Sequence, residues 1–375
     1  VDSKNQIAAT VRAAREALGL TQGALAAAAG FASLQIVSAI ETGQREVKAW
    51  ELAKLARALH TSIDVLLGID EPSSARVFWR RGSHGISPEH EARLKERAAR
   101  YALLEEWCEL APAEPLPELR LDPHRASFND AARLASAAGR TLDLGSRPAT
   151  ALPRVLEERF GLKLFYAPLG GDESAACVRG DFGSAVLVNS LDAPWRRNFS
   201  LAHELFHLIT WQSVAPLWPA EGEPEWSERL EKLAEVFAAN LLLPADEVNA
   251  QLDGRTAQGK TIDMLDVIEL AREFDVSTAA LTWRLVNLGR GTAEWAKALL
   301  ADPDFRRRDR LTMPARWTQP ESAFPERYRR LALLAFEKGS LSLSRLAEFM
   351  ETSMGEMYAL LEESELDEAA APPAP

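Results

Sequence analysis

The 375-residue chain holds only two cysteines, Cys108 and Cys177, far apart and without a CxxC pair. That excludes a disulfide framework and a cysteine-rich zinc site, and leaves two buried thiols as the expectation. Long apolar runs are missing too: none reaches the roughly 18 residues a membrane-spanning helix needs. The opening VDSKNQIAAT has no apolar signal stretch, so a soluble, cytoplasmic protein without a membrane partner is expected. Excess positive charge is also lacking. The net charge is −12, which repels nucleic acid on average. Residues 1–70 are neutral, with seven Lys+Arg against seven Asp+Glu. A DNA contact is therefore to be sought near the N-terminus.

What the chain does have is apolar material for several cores: 47% of residues are hydrophobic, and the length suits two or three domains. Residues 6–68 read as five short helices, with Thr21 capping the second and a stripe of Trp50, Leu52, Leu55, Ala56 and Leu59 on the fourth. Residues 71–90 are polar and broken by Pro and Gly, a linker by composition. A densely charged helix follows at 89–110, then a Pro-rich connector, then helices at 125–140 and 150–160. Strands are expected at 161–169, where Leu162, Leu164 and Tyr166 alternate, and at 175–180 and 184–190. A helix from Pro194 through HELFHLITW, a Pro- and Glu-rich loop at 214–225, and a long helix at 226–243 come next. Residues 245–360 read as helical, and EAAAPPAP as a disordered tail.

The chemistry concentrates in one motif. His203 and His207 stand four residues apart, which puts both imidazoles on one helix face, about a turn apart. Two nitrogens can then reach one zinc ion, with Glu204 beside them as the base for an attacking water. A third histidine six residues after the pair is missing, because that position is Ser213. The helix SERLEKLAEVFAANLLLP offers Glu228, Glu231 and Glu235 on one face, opposite an apolar stripe of Leu230, Leu233, Ala234, Phe237 and Leu241. One carboxylate would bind metal and another would orient a ligating histidine. His60, His84, His90 and His124 read as ordinary residues.

The run RRNFSLAHELFHLI, the strands GLKLFY and VLVN, and the segment FAANLLLP make residues 150–244 resemble an ImmA/IrrE metallopeptidase domain. The resemblance implies a gluzincin-like fold, with His203 and His207 as zinc ligands, Glu204 as general base, and Glu231, counted back from Pro244, as third ligand. That family usually has Asn four residues after the third ligand, where this chain has Glu235. Residues 6–68 resemble an XRE/Cro-type helix-turn-helix. This second resemblance places Gln22 at the start of the second helix, Ser33, Gln35 and Ser38 on a groove-reading third helix, and Arg45 and Lys48 on phosphates. Residues 260–290 and 325–350 fit the peptidase family's C-terminal extension.

The expected fold is mainly α with a small β-sheet (α+β). The expected domains are a helix-turn-helix domain at 1–70, a linker with a charged helix at 71–120, a zinc peptidase domain at 121–250, a helical domain at 251–362 and a tail at 363–375. The expected function is a Zn2+-dependent endopeptidase, with Mn2+ as the alternative metal. Its protein substrate would be an XRE-type repressor, cut in a stress, DNA-damage or mobile-element response. DNA would be the partner of the N-terminal domain, and two half-sites would call for a homodimer. The competing expectation is a DNA-binding regulator with a sensory or structural metal.

Overall fold

The computed structural model describes residues 3–61, 63–68, 76–78, 87–170, 174–217, 225–257, 262–317 and 322–361. His84, the tail at 363–375 and most of the 214–225 loop lie outside the described residues. The described residues contain seventeen α-helices and one four-stranded sheet, and no helix among them is long and apolar enough to cross a membrane.

The first five helices are α1 (Ser3–Ala17), α2 (Gln22–Ala28), α3 (Leu34–Glu41), α4 (Ala49–Ala58) and α5 (Ile63–Leu66). They enclose a core of their own around Val11, Leu25, Val37, Ile40, Leu55 and Leu66. Thr21 caps α2 by accepting from the Ala24 amide at 3.1 Å, which satisfies an amide the helix leaves orphaned. The turn after α3 needs Gly43: its φ is +69°, and a Cβ there would come within 2.9 Å of Asn5 Oδ1. The expected α4 stripe holds at Leu52, Leu55, Ala56 and Leu59, but Trp50 is 54% exposed. Trp50 precedes Leu52 by two positions, about 200° around the helix, and it sits beneath the Lys54 ammonium instead, 5.1 Å from its ring centre.

The polar stretch expected to be only a connection supplies a strand, β1 (Arg76–Phe78). It joins β2 (Lys163–Ala167), β3 (Ala175–Gly180) and β4 (Gly183–Asn189) in the order β1-β3-β4-β2. β1 and β4 run antiparallel to β3, and β2 runs parallel to β4. A three-residue strand is too short to show a period-two pattern, so composition alone could not reveal β1.

Both faces of the sheet are covered. On one face, Leu164, Cys177, Val186 and Val188 pack on α7 (Phe128–Leu142), α8 (Pro148–Glu158), α9 (Pro194–Val214) and α10 (Ser227–Leu242). The alternation of Leu162, Leu164 and Tyr166 points to that face. The other face carries Phe165, Val178, Ala185 and Leu187. It is closed by α6 (Pro88–Trp107) and, beyond α11 (Ala245–Arg255), α12 (Met264–Glu273), α13 (Thr278–Asn287), α14 (Ala293–Ala301) and α15 (Pro303–Leu311), by α16 (Glu326–Glu337) and α17 (Leu343–Phe349). The charged helix α6 therefore contributes Leu94, Tyr101 and Leu104 to a core.

Two buried groups report on this packing. Phe206 of α9 and Phe237 of α10 lie 5.5 Å apart, ring centre to ring centre, and both are fully buried. Phe237→Ala should lower unfolding stability by about 3–5 kcal/mol, measured by denaturant titration; a loss below 1 kcal/mol would show that this contact does not pin the two helices. Glu157, under Tyr101 Oη at 3.3 Å, is held by burial at a pKa of about 8, against an ordinary 4.5. Arg327, Glu105 and Glu158 also act on it. A carboxyl with a raised folded pKa gives stability that is complete below about pH 4.5 and lost as pH rises through about 8. Glu157→Gln should therefore flatten the fall in melting temperature between pH 6 and pH 9, and an unchanged slope in that variant would assign the fall elsewhere.

Candidate metal centre

The helix α9 begins at Pro194, where a missing N–H costs nothing, and its central turns are buried on every side. His203 is 0% exposed, Glu204 1% and His207 6%. A helix this enclosed needs another helix to bring in a further polar group, and α10 does so. Its apolar stripe of Leu230, Leu233, Ala234, Phe237 and Leu241 is buried as the sequence suggests, which turns Glu231 toward α9.

Three donor atoms converge there. Glu231 Oε2 stands 3.0 Å from His203 Nε2, and Glu231 Oε1 stands 3.4 Å from His207 Nε2. The two Nε2 atoms are 3.2 Å apart. Donors bound at 2.0–2.1 Å to one tetrahedral ion stand roughly 3.3–3.4 Å from each other. The spacing thus fits a single divalent ion held by two imidazoles and one carboxylate, with a fourth position left for water or substrate. His203, His207 and Glu231 are the one group of this kind among the described residues. Glu228 and Glu235 are exposed and outside it.

Glu204 lies on the same turn as His203, with both carboxylate oxygens closed to solvent. Against it lies Cys177 of β3, a wholly buried residue whose thiol pKa is pushed well up by burial and then by the Glu204 carboxylate. Sequence reasoning had treated Cys177 as plain core. The signal was present in the strand alternation, which puts Ala175 and Cys177 on the α9 face of the sheet. His124 is not at the metal cluster; it packs edge-on against Trp226, 5.7 Å between ring centres.

The DNA candidates are spread more widely. Gln35 is exposed on α3, Ser33 is the α3 N-cap and Ser38 is half-buried. Lys48 is exposed at the α4 N-cap. Two others have internal partners: Gln22 Nε2 donates to Glu41 at 2.9 Å, and Arg45 Nη2 donates to Glu51 at 2.6 Å. Glu41 itself is buried and also takes Arg15 Nε at 2.6 Å.

With this geometry in hand, the comparisons with known proteins are specific. Residues 157–286 match the family described as the IrrE N-terminal-like domain, and residues 11–66 match the helix-turn-helix family. The radiation response metalloprotease IrrE of Deinococcus deserti is 29% identical over 161 residues, covering 40% of this chain and 54% of that protein. The protein of the same name from Deinococcus radiodurans is 26% identical over 181 residues, covering 46% and 52%. The chain spans about half the length of the curated relatives it matches.

If Glu231 completes the ligand set, Glu231→Gln should weaken zinc binding by more than the roughly 10–100-fold typical of groups that only orient ligands. Glu235→Gln should stay within about tenfold of wild type. Competition with a chromogenic chelator reads both, and a larger loss in Glu235→Gln would exchange the two assignments.

Proposed function

This chain joins a helix-turn-helix domain to an IrrE N-terminal-like domain, and from that premise we propose that it is a metal-dependent endopeptidase addressed by DNA binding. The observation that carries the reading is the convergence of His203, His207 and Glu231 at 3.0–3.4 Å with Glu204 one position along the helix. Zn2+ suits this nitrogen-rich donor set. When bound, the ion polarises a peptide carbonyl and makes water acidic enough to attack it near neutral pH.

The chain's own residues do the rest. Glu204 accepts the proton of the attacking water at a carboxylate oxygen and returns it to the departing amine as the C–N bond breaks. Its enclosure beside Cys177 holds the carboxylate in one orientation and excludes bulk water, which strengthens its electrostatic effect. His203 and His207 are fixed by the helix, and Glu231 by the packing of α10, so the geometry is set before substrate arrives.

The substrate we propose is a repressor of the helix-turn-helix type, cut in a stress response. The two similar Deinococcus proteins are named for a radiation response, and the N-terminal domain of this chain supports placement at DNA. The exposed Gln35 and Lys48 are the first candidates for base and phosphate contacts. The competing reading is a regulator whose metal is sensory.

Glu204→Gln separates the two. It should keep zinc and lose cleavage by about 10³-fold or more, since an amide cannot serve as a base. A survey of new protein N-termini in cells, wild type against Glu204→Gln, should find a cut present only in wild type. If the variant regulates normally and no such cut appears under DNA damage, the sensory reading takes over.

A further inference from the structure

β3 is the strand closest to the catalytic machinery. Cys177, at its middle, lies against Glu204 and also feels the charge of Glu231. α9 packs beneath β3 and β4. One edge of β3 is paired to β4. The other edge faces outward from the sheet, and there the chain has placed β1, antiparallel, with Arg76 opposite Arg179, Val77 opposite Val178 and Phe78 opposite Cys177. The register thus puts Phe78 beside the very residue that lies on the general base.

An endopeptidase must hold its substrate extended, with a backbone carbonyl presented to the attacking water. Strand addition to a sheet edge does this through main-chain hydrogen bonds, whatever the side chains. A strand added to β3 runs roughly 4.8 Å from it, along the flank of the catalytic helix. The position that a substrate strand would take is the position of β1. The occupant also has a telling origin: it lies between α5, the last helix of the helix-turn-helix domain, and α6, the first helix packed on the sheet.

We propose that the outer edge of β3 is the surface on which this chain takes an extended stretch of a protein substrate, and that Arg76–Phe78 occupies this surface as an intramolecular competitor. The proposal rests on the peptidase reading for its consequence, but the docking itself does not require metal. A three-residue ladder is short enough to be displaced, while tethering gives the competitor an effective concentration in the millimolar range. A segment seated nine-tenths of the time raises the apparent KM about tenfold.

Val77→Pro tests this, because proline breaks strand pairing; a second variant, Arg76→Gly, Val77→Ser and Phe78→Gly together, guards against a folding fault from the proline. The measurements use the full zinc-loaded chain. Hydrogen exchange at the amides of 175–180 should accelerate in both variants, and a synthetic peptide spanning residues 74–80 should slow it again. Cleavage of denatured casein should show KM falling about tenfold at constant kcat. Unchanged exchange at 175–180 would overturn the proposal. So would altered exchange with unchanged KM, since β1 would then only shield an exposed edge. If no form of the chain cuts casein, only casein is excluded as a substrate, and the cellular Glu204→Gln comparison decides the peptidase reading separately. The added peptide then decides: restored protection supports the β3 edge as a peptide-binding surface, and no protection refutes it.

Discussion

The approach of α10 to α9 is the contact on which the rest depends. Two histidines one turn apart offer a metal only two donors, and the third must come from another helix held at a fixed distance. Phe206 against Phe237, with Leu230, Leu233 and Leu241 beside them, sets that distance through apolar packing alone. The polar groups oppose the packing: His203, Glu204 and His207 are almost entirely removed from water, and burial of polar groups costs several kcal/mol unless they find partners. A divalent ion held by His203, His207 and Glu231 would offset that cost, and its binding would then be coupled to the α9–α10 contact.

The N-terminal domain shows a different use of charge. It is neutral, and several of its cations have internal partners. Arg15 is bound to Glu41, with Arg12 nearby, and Arg45 is bound to Glu51. Those pairs fix the helices but take cations away from DNA phosphates, which supply much of the affinity of such modules. A domain built this way favours an address read by a few exposed side chains on α3 over a strong general grip.

How much of this was legible in the sequence depends on which physical pattern each element carries. The His-Glu-x-x-His turn is a single i, i+4 spacing and the α10 stripe a helical periodicity of about three turns, and both appear where the spacing puts them. Helix caps such as Thr21 are local chemistry and were equally readable. β1 was not, because a three-residue strand is defined by its pairing with β3 and not by its own pattern. Trp50 was placed on the core by residue type, although its angular position on α4 puts it outside. Cys177 needed a tertiary fact, namely that β3 crosses above the Glu204 turn. Gln22 and Arg45 have suitable side chains for DNA, but Glu41 and Glu51 compete for them at short range, and long-range partners are invisible in spacing.

The second core makes α6, α16 and α17 part of one packed body with the sheet. Phe165, Val178, Ala185 and Leu187 all lie on the sheet face away from His203, His207 and Glu231, against α6, α16 and α17. Without those helices one whole face of the sheet would be apolar and exposed, and β3 would lose the layer that keeps Cys177 against Glu204. The elements that close this face come from opposite sides in sequence: α6 precedes β2, and α16 and α17 follow α10. Tyr101 and Tyr328 meet edge to face, 5.1 Å apart, and Arg97 reaches Glu351 at 2.7 Å, so α6 is joined there to the late helices. β3, which holds Cys177 against Glu204, is thereby packed on both of its faces.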